Sequence, residues 1–120
     1  MRYIVTLSNG DINVIEHPEE EVTYEEMRSL IRGYLECIPC GDLMDAGITL
    51  WGDEEGKLKG LPVSAVLTRY GVPYDIAVGT LVAVSEDEEN IISLNEEQKD
   101  LVLNAFRYSE EDGALRLEVC

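Results

Sequence analysis

A nearly continuous apolar run places the strongest limit on how this chain folds. Nine residues, IAVGTLVAV at 76–84, carry apolar side chains at both odd and even positions. A strand of this kind is buried on both faces, so we expect it at the centre of a sheet. Gly79 interrupts the run and predicts a bulge or a close approach of another part of the chain.

The same run bears on membranes. It is too short to cross a bilayer, which takes about 20 helical residues. The opening MRYIVTL is too short for a signal peptide and is typical of a strand. We therefore expect a soluble, cytoplasmic protein that makes no membrane contact.

The clearest helix signal lies in VTYEEMRSLIRGYLE, residues 22–36. Thr23 and Glu26 have the spacing of a capping box, in which each side chain accepts a hydrogen bond from the other residue's backbone amide. The positions of one buried helix face follow this cap: Met27, Leu30, Ile31 and Tyr34.

A second helix is expected within IISLNEEQKDLVLNAF, after a short strand. Two pairs of residues have the capping spacing, Ser93 with Glu96 and Asn95 with Gln98. The sequence alone does not decide which of the two pairs forms the cap.

Alternation and turn residues indicate the other elements. RYIVTLSNGDINVIEH predicts a hairpin at Asn9-Gly10, and LECIP predicts a short extended segment. ITLWGDEEGKLKGLP predicts a strand, a turn and a short return strand, CGDLMDAG a loop, and VSAVLTRYG two helical turns. The alternating residues 115–119 predict an edge strand, through which two copies of the chain could pair as a homodimer.

Together these elements predict one α+β domain over residues 1–120. Its sheet is mostly antiparallel, and two main helices pack on one face of it. No internal repeat or linker divides the chain.

The charge of the chain is strongly negative. Twenty-five acids oppose nine bases, for a formal net charge of −16. Because phosphate binding needs Lys and Arg to displace counterions, we do not expect direct binding of nucleic acid. The charge favours a basic partner, including a protein that itself holds nucleic acid. The alternative is that the acids only keep the protein soluble.

Cys37 and Cys40 have the Cys-x-x-Cys spacing of redox and metal sites. A redox pair normally begins a helix, whose dipole lowers a thiol pKa. This pair instead follows the predicted helix, and Glu36 and Asp42 beside it would raise a thiol pKa. We therefore interpret both cysteines as ordinary thiols.

Other residues for metal binding or catalysis are sparse. A zinc site on the cysteine pair would need two more ligands, and only Cys120 and His17 remain. A Ser-His-acid triad needs a serine and an oxyanion hole near the histidine, and EHPEEE suggests neither. We expect no metal, no cofactor and no catalytic residue, and hence a protein that is not an enzyme.

Two acidic turns form the main predicted binding surface. They contain Glu86, Asp87, Glu88 and Glu89 in one turn, and Asp53, Glu54 and Glu55 in the other. Neither run has the alternating acids and central glycine of a calcium-binding loop. Their carboxylates would instead meet Lys and Arg side chains of a partner.

A groove is the alternative binding site. Its candidate residues are Trp51, Lys57, Lys59, Arg69 and Tyr70. The aromatic rings could stack on a base and the cations could bind phosphate. Against this, GDEEGKLKG lacks the spacing of a phosphate loop and carries two glutamates, and core packing is the simpler role for the tryptophan.

Four stretches in a fixed order resemble a known family. GYLECIP, EEGKLKGLP, DIAVGTLVAVSEDEE and ISLNEEQ are similar to the domain of unknown function three-eight-four-six, found in phages, plasmids and other mobile elements of gut bacteria. The resemblance covers about residues 1–106 and leaves 107–120 as a C-terminal extension. It implies a small accessory protein of a mobile element and no catalytic residues, because the family has no assigned activity.

Two functions follow as hypotheses. The first is a non-catalytic acidic accessory protein that binds a basic host or defence protein, by mimicry of nucleic acid. The second is a protein that binds or sequesters a small molecule of the nucleotide type.

Overall fold

Ten strands and three helices make up residues 1–119, the part of the chain that the computed structural model describes. The strands are β1 (Tyr3–Ser8), β2 (Asp11–Glu16), β3 (Leu35–Ile38), β4 (Ile48–Asp53), β5 (Val63–Arg69), β6 (Val72–Val78), β7 (Leu81–Glu86), β8 (Ile91–Ile92), β9 (Phe106–Ser109) and β10 (Ala114–Glu118). The helices are α1 (Tyr24–Ile31), α2 (Gly41–Asp45) and α3 (Glu96–Ala105). The α+β class with mostly antiparallel strands is confirmed.

The first sheet has the order β2-β1-β7-β4-β3, and β8 extends it by pairing with the end of β7. All of its pairs are antiparallel. The β1–β2 hairpin turns at Asn9 and Gly10, which both adopt positive φ as predicted. The β7 strand is central and its apolar residues 81–84 are fully buried on both faces.

The second sheet has the order β6-β5-β10-β9. The β5 and β10 strands pair in parallel, and the other neighbours are antiparallel. One core cluster joins the two sheets. It takes Val5, Leu7, Ile48, Leu50, Leu81 and Ala83 from the first sheet and Ala65, Leu67, Ala77, Phe106, Leu115 and Leu117 from the second.

The two main helices belong to different core clusters. Val102 of α3 lies in the cluster between the sheets. Met27 and Ile31 of α1 pack with Val82 and Val84 in a second cluster. Since alternate residues of β7 face opposite sides, the helices cover opposite faces of the first sheet. The prediction that both helices pack on one face is wrong in this detail. The central strand is apolar on both faces, and each face must be buried by another element.

Both helices begin at capping boxes. The Thr23 hydroxyl accepts the Glu26 amide hydrogen at 3.1 Å, as predicted. Of the two open pairs for α3, Asn95 and Gln98 form the cap, with 2.8 Å between the Asn95 side chain and the Gln98 amide. The α1 helix ends earlier than predicted, at the left-handed Arg32, so Tyr34 lies outside it and is exposed.

Several other elements differ from the sequence prediction. Residues 63–69 form strand β5 and not helical turns, because β10 and β6 pair with its two edges. Residues 41–45 form the short helix α2 in the segment predicted as a loop. Residues 54–60 form a series of turns, and no return strand follows β4 before β5 among the described residues.

The apolar run is two strands and not one. Gly79 separates β6 of the second sheet from β7 of the first. Its φ is +73°, and a Cβ at this position would stand 2.7 Å from Leu61 Cδ1. The predicted close approach is therefore present, and it allows the chain to pass between the sheets.

The strand near the C-terminus lies at a different position in its sheet from the one predicted. The predicted edge strand, 115–119, corresponds to β10, which lies between β5 and β9 inside the second sheet. Both of its edges are paired, so it offers no edge for a homodimer. Within residues 1–119, no helix combines the length and apolar character needed to cross a membrane.

Candidate functional site

Two acidic runs that are far apart in the sequence lie side by side in the fold. The β8 strand pairs with the end of β7 on one side, where Glu86 stands opposite Ile91. On its other side Glu21 bridges Ile92, and the Ser93 amide donates to the Glu20 carbonyl at 2.7 Å. Residues 19–21 and 86–89 therefore meet at one end of the first sheet. We call this surface the acidic edge; its exposed carboxylates are Glu19, Glu20, Glu21, Glu86, Asp87, Glu88 and Glu89.

The turn that carries four of these acids has a defined shape. The Asp87 carboxylate accepts the backbone amides of Glu89 at 3.2 Å and Asn90 at 2.9 Å. The Asp87 amide in turn donates to the Asn90 carbonyl at 3.0 Å. Asp87 therefore shapes its own turn, and Glu86, Glu88 and Glu89 are held on a fixed backbone.

Ser93 fixes the other acidic run. Its side chain is fully buried, and the hydroxyl donates to the carbonyl of Glu19 at 2.8 Å. Arg2 Nε donates to the same hydroxyl at 2.8 Å. The local sequence indicates only a helix-capping role for Ser93, because its buried position depends on a segment more than seventy residues away.

The basic groups near the acidic edge are committed to other contacts. Arg2 binds the Ser93 side chain and carbonyl. Lys99 pairs with Glu96 at 2.8 Å and lies 4.7 Å from the centre of the Tyr3 ring. No ion pair to a carboxylate of the acidic edge occurs among the residues that the structure describes. The edge therefore keeps its negative field.

The second predicted acidic turn is different. Asp53 is buried, with its side chain only 1% exposed, and its carboxylate accepts Lys59 Nζ at 2.6 Å. It also accepts the Glu55 amide at 2.9 Å. Burial disfavours the charged form, but these hydrogen bonds outweigh it and hold the pKa of Asp53 below its usual range. The prediction of Asp53 as part of an exposed binding surface is wrong; only Glu54 and Glu55 are exposed.

Gly33 makes the burial of Asp53 possible. A Cβ at position 33 would lie 2.5 Å from three atoms of the Asp53 carboxyl group. Lys59 Nζ also reaches the Arg32 carbonyl at 3.4 Å. The pair therefore ties the end of α1 to the turns after β4, which is a structural role.

The structure does not bring the predicted groove residues together. Trp51 packs against the second core cluster and donates to Thr49 Oγ1 at 3.0 Å. Lys59 is bound to Asp53, whereas Lys57 pairs with Asp75 at 2.5 Å on another side. Arg69 lies 4.4 Å from the centre of the Tyr74 ring. Tyr70 is 86% exposed in the β5–β6 turn, and so no shared stacking platform forms.

A cleft of about 270 Å³ does lie between β3 and β4 on one side and β6 on the other. Tyr74 lines it, and so does Lys57. Its charged lining is otherwise acidic: Glu36, Asp53, Glu54 and Asp75. One paired lysine among four carboxylates is a poor environment for phosphate, so the cleft does not favour a nucleotide.

Neither cysteine of the Cys-x-x-Cys pair is in a disulfide. Cys40 is buried in the core between the sheets, and its thiol lies 3.6 Å from the Glu118 carbonyl. Partial burial and then the charge of Glu86 raise the pKa of the Cys37 thiol. A raised pKa lowers the thiolate fraction and does not favour redox chemistry. Cys120 lies outside the described residues.

His17 has partners that its local sequence does not show. The side chain is 9% exposed, Nδ1 lies 2.6 Å from the Glu19 carbonyl oxygen, and Nε2 lies 2.8 Å from Glu26 Oε2. Glu26 reaches the ring because it is the capping-box residue of α1. His17 and Glu26 are nine residues apart, between the end of a strand and the start of a helix, and this spacing matches no recognisable motif. The pair was therefore not predicted.

The model of a family described as a domain of unknown function matches residues 1–107. Neither the curated proteins nor the solved structures contain a match to the chain. The matched region ends within β9, so β10 lies beyond it although that strand completes the second sheet.

Proposed function

The chain belongs to the DUF3846 family, and we propose that it is a non-catalytic acidic accessory protein that presents the acidic edge to a basic partner protein. The resemblance to proteins of mobile elements suggests that this partner is a host or defence protein in the cytoplasm. The partner's own basic surface would serve to hold nucleic acid.

The convergence of two acidic runs on one edge carries this proposal. Residues 19–21 and 86–89 are separated by β8, and hence by two strand spacings, about 10 Å. This exceeds the Debye length of about 8 Å at physiological ionic strength, so the two runs act on each other only weakly. Both runs nevertheless flank β8 at one edge of the sheet, within reach of a single basic surface on a partner.

The distribution of bases supports the same proposal. Within residues 1–119, four of the nine basic side chains form ion pairs with carboxylates: Lys57, Lys59, Lys99 and Arg116. Arg28 and Arg69 lie over tyrosine rings. Little positive charge is left to bind phosphate, whereas many carboxylates are left to bind Lys and Arg.

A nucleic-acid-binding partner fits this surface because carboxylates compete with phosphates for the same side chains. The acidic edge is held by backbone pairing on both sides of β8 and by the Asp87 and Ser93 hydrogen bonds. A preorganised array loses less conformational freedom on binding than a flexible acidic tail would.

The test compares two variants with equal changes of charge. Glu86→Gln with Glu89→Gln removes two charges from the acidic edge, and Glu54→Gln with Glu55→Gln removes two from the opposite end of the first sheet. A partner captured from host lysate at low salt is purified, and its affinity for each variant is measured between 50 mM and 300 mM NaCl. We expect the edge variant to bind more weakly with a smaller salt dependence, and the control variant to bind as wild type does. Equal binding by both variants would indicate that the acidic residues only keep the protein soluble.

A further inference from the structure

His17 is held between two oxygen atoms that can only accept hydrogen bonds. Its ring contacts are the Glu19 carbonyl at 2.6 Å and the Glu26 carboxylate at 2.8 Å. Its backbone amide donates to the Arg2 carbonyl at 2.9 Å. The backbone hydrogen bond and the two contacts of the ring nitrogens together fix the position of the ring.

Both acceptors are themselves anchored. The Glu19 carbonyl also accepts the Ser93 hydroxyl at 2.8 Å. Glu26 Oε1 lies 3.3 Å from both the amide and the hydroxyl of Thr23, as part of the capping box. This leaves Glu26 Oε2 directed at the histidine.

Both ring nitrogens face acceptors, so either a second ring proton or a metal ion must lie between Nε2 and the Glu26 carboxylate. Because a carbonyl oxygen only accepts, the hydrogen of a neutral ring lies on Nδ1, and Nε2 then presents a lone pair to the Glu26 carboxylate. Two acceptors 2.8 Å apart repel unless a positive ion lies between them. Histidines that bind metals have this arrangement, with the second ring nitrogen donating to a backbone carbonyl or carboxylate.

Glu19 supplies a third group for such an ion. One ligand atom from each of His17, Glu19 and Glu26 lies within 4.8 Å of the others. One imidazole nitrogen with two carboxylate oxygens suits Zn²⁺ and similar divalent transition metals, with water in the remaining position. Calcium and magnesium prefer oxygen ligands alone.

The site can open enough to take the ion. Ligand distances of about 2.0 Å and a tetrahedral angle place nitrogen and oxygen roughly 3.3 Å apart, so the Glu26 carboxylate must move by about 0.5 Å. Its side chain is 40% exposed and is able to turn. A depression of about 420 Å³ beside the ring, lined also by Ile4, Ile15 and Leu30, gives access from solvent.

We propose that His17, Glu19 and Glu26 form a binding site for a divalent transition-metal ion of the Zn²⁺ type, in which the metal replaces the proton between Nε2 and Oε2. The ion would join the end of β2 to the start of α1. Glu19 belongs to both the metal site and the acidic edge. The tests of the metal site therefore use variants at His17 and Glu26, which lie outside the acidic edge, so that a failure of one proposal can be told from a failure of the other.

Electrostatics of the surroundings agree with a positive ion at this position. One carboxylate oxygen from each of Glu19 and Glu26 lies within 4.8 Å of a ring nitrogen of His17. Glu25 also lines the depression, and the guanidinium of Arg2 is turned towards Ser93. A metal competes with the proton, so its affinity rises with pH.

The experiment uses the tag-free full chain, because this histidine is the only one in the sequence. A Cys37→Ser, Cys40→Ala, Cys120→Ser background removes all three thiols of the sequence, so that no thiolate competes for zinc. Zinc chloride is titrated into the chelator-treated protein at pH 7.5 by calorimetry, and the imidazole resonances are followed by NMR. We expect one ion per chain, a shift of the His17 resonances, and affinity lower by about tenfold or more in Glu26→Gln and in His17→Gln.

Glu25→Gln is the matched control, since it removes a neighbouring charge of α1 that is outside the site. Its affinity should fall much less than that of Glu26→Gln, because Glu25 lines the depression but supplies no ligand atom. Imidazole resonances that stay unmoved in excess zinc would overturn the proposal, and so would equal affinity in the His17→Gln variant. If His17→Gln does not fold, the NMR titration of the parent protein decides the question alone.

Discussion

Asp53 and Asp87 each stand in a run of acids at an end of the first sheet, but one points inward and the other outward. Asp53 is buried against Lys59, with Gly33 leaving space for its carboxyl group. Asp87 is exposed, and its carboxylate binds the amides of its own turn. A buried carboxylate needs a cation and donors within reach, and only the first run has a lysine there. The first region uses its charge to hold the fold, whereas the second keeps its other carboxylates exposed to solvent.

The largest expected effect comes from removing the buried carboxylate. Asp53→Ala leaves the Glu55 amide and Lys59 without their acceptor. Because Lys59 can turn to solvent, we expect a loss of about 2–3 kcal/mol of unfolding free energy rather than the full cost of a broken buried pair. Chemical denaturation measures it. The control, Glu54→Ala, should stay within about 0.5 kcal/mol, and equal losses in both variants would remove the distinction between the acids.

Gly33→Ala should cost somewhat less, about 1–3 kcal/mol, because the new methyl group overlaps the Asp53 carboxyl group. The same substitution in an Asp53→Ala background should be nearly neutral, since the obstacle is gone. A double-mutant cycle by denaturation measures this coupling. Additive effects would show that Gly33 matters for a reason other than the space it gives Asp53.

The pH dependence of the unfolding free energy should show the contribution of the Asp53 carboxylate. The folded pKa of Asp53 lies below its unfolded value of about 3.9. Its contribution is therefore complete above the unfolded pKa and is lost as pH falls through the folded pKa. The stability difference between wild type and Asp53→Asn should be constant from pH 5 to 7 and shrink below pH 4 in denaturant melts. A difference that grows on acidification would contradict the ion pair.

The smallest effect is expected at the acidic edge. Glu86→Gln with Glu89→Gln relieves repulsion between exposed carboxylates, so the thermal midpoint should rise slightly at 10 mM NaCl. At 1 M NaCl the difference should vanish, because the Debye length falls to about 3 Å. A midpoint that falls at both NaCl concentrations would mean that the side chains of Glu86 and Glu89 stabilise the 86–89 turn. We expect Asp87 alone to do so.

Features with local causes were predictable from the sequence. The Thr23–Glu26 cap and the Asn9-Gly10 turn depend on residues within a few positions, and both are present. The centre of the first sheet was also predictable, because residues 81–84 are apolar on both faces.

Features with distant causes were not predictable. The β5 strand was predicted as helical because its partner β10 lies about fifty residues away. The burial of Asp53 depends on Gly33, and the ring of His17 meets Glu26 only after α1 has docked. The acidic edge exists because β8 pairs on both sides, which two residues of sequence do not reveal.

The position of β10 inside the second sheet affects how the protein is made. Thr68 in β5 and Glu118 in β10 are 50 residues apart, so the β5–β6 hairpin leaves the ribosome well before its inner neighbour does. Until β10 arrives, one edge of β5 has unpaired amides and carbonyls beside apolar side chains. Such an edge can pair with another nascent chain, and distant pairings form slowly. We therefore expect β10, the last of the described strands, to pair with β5 late, and truncation near residue 107 should leave that edge of β5 unpaired.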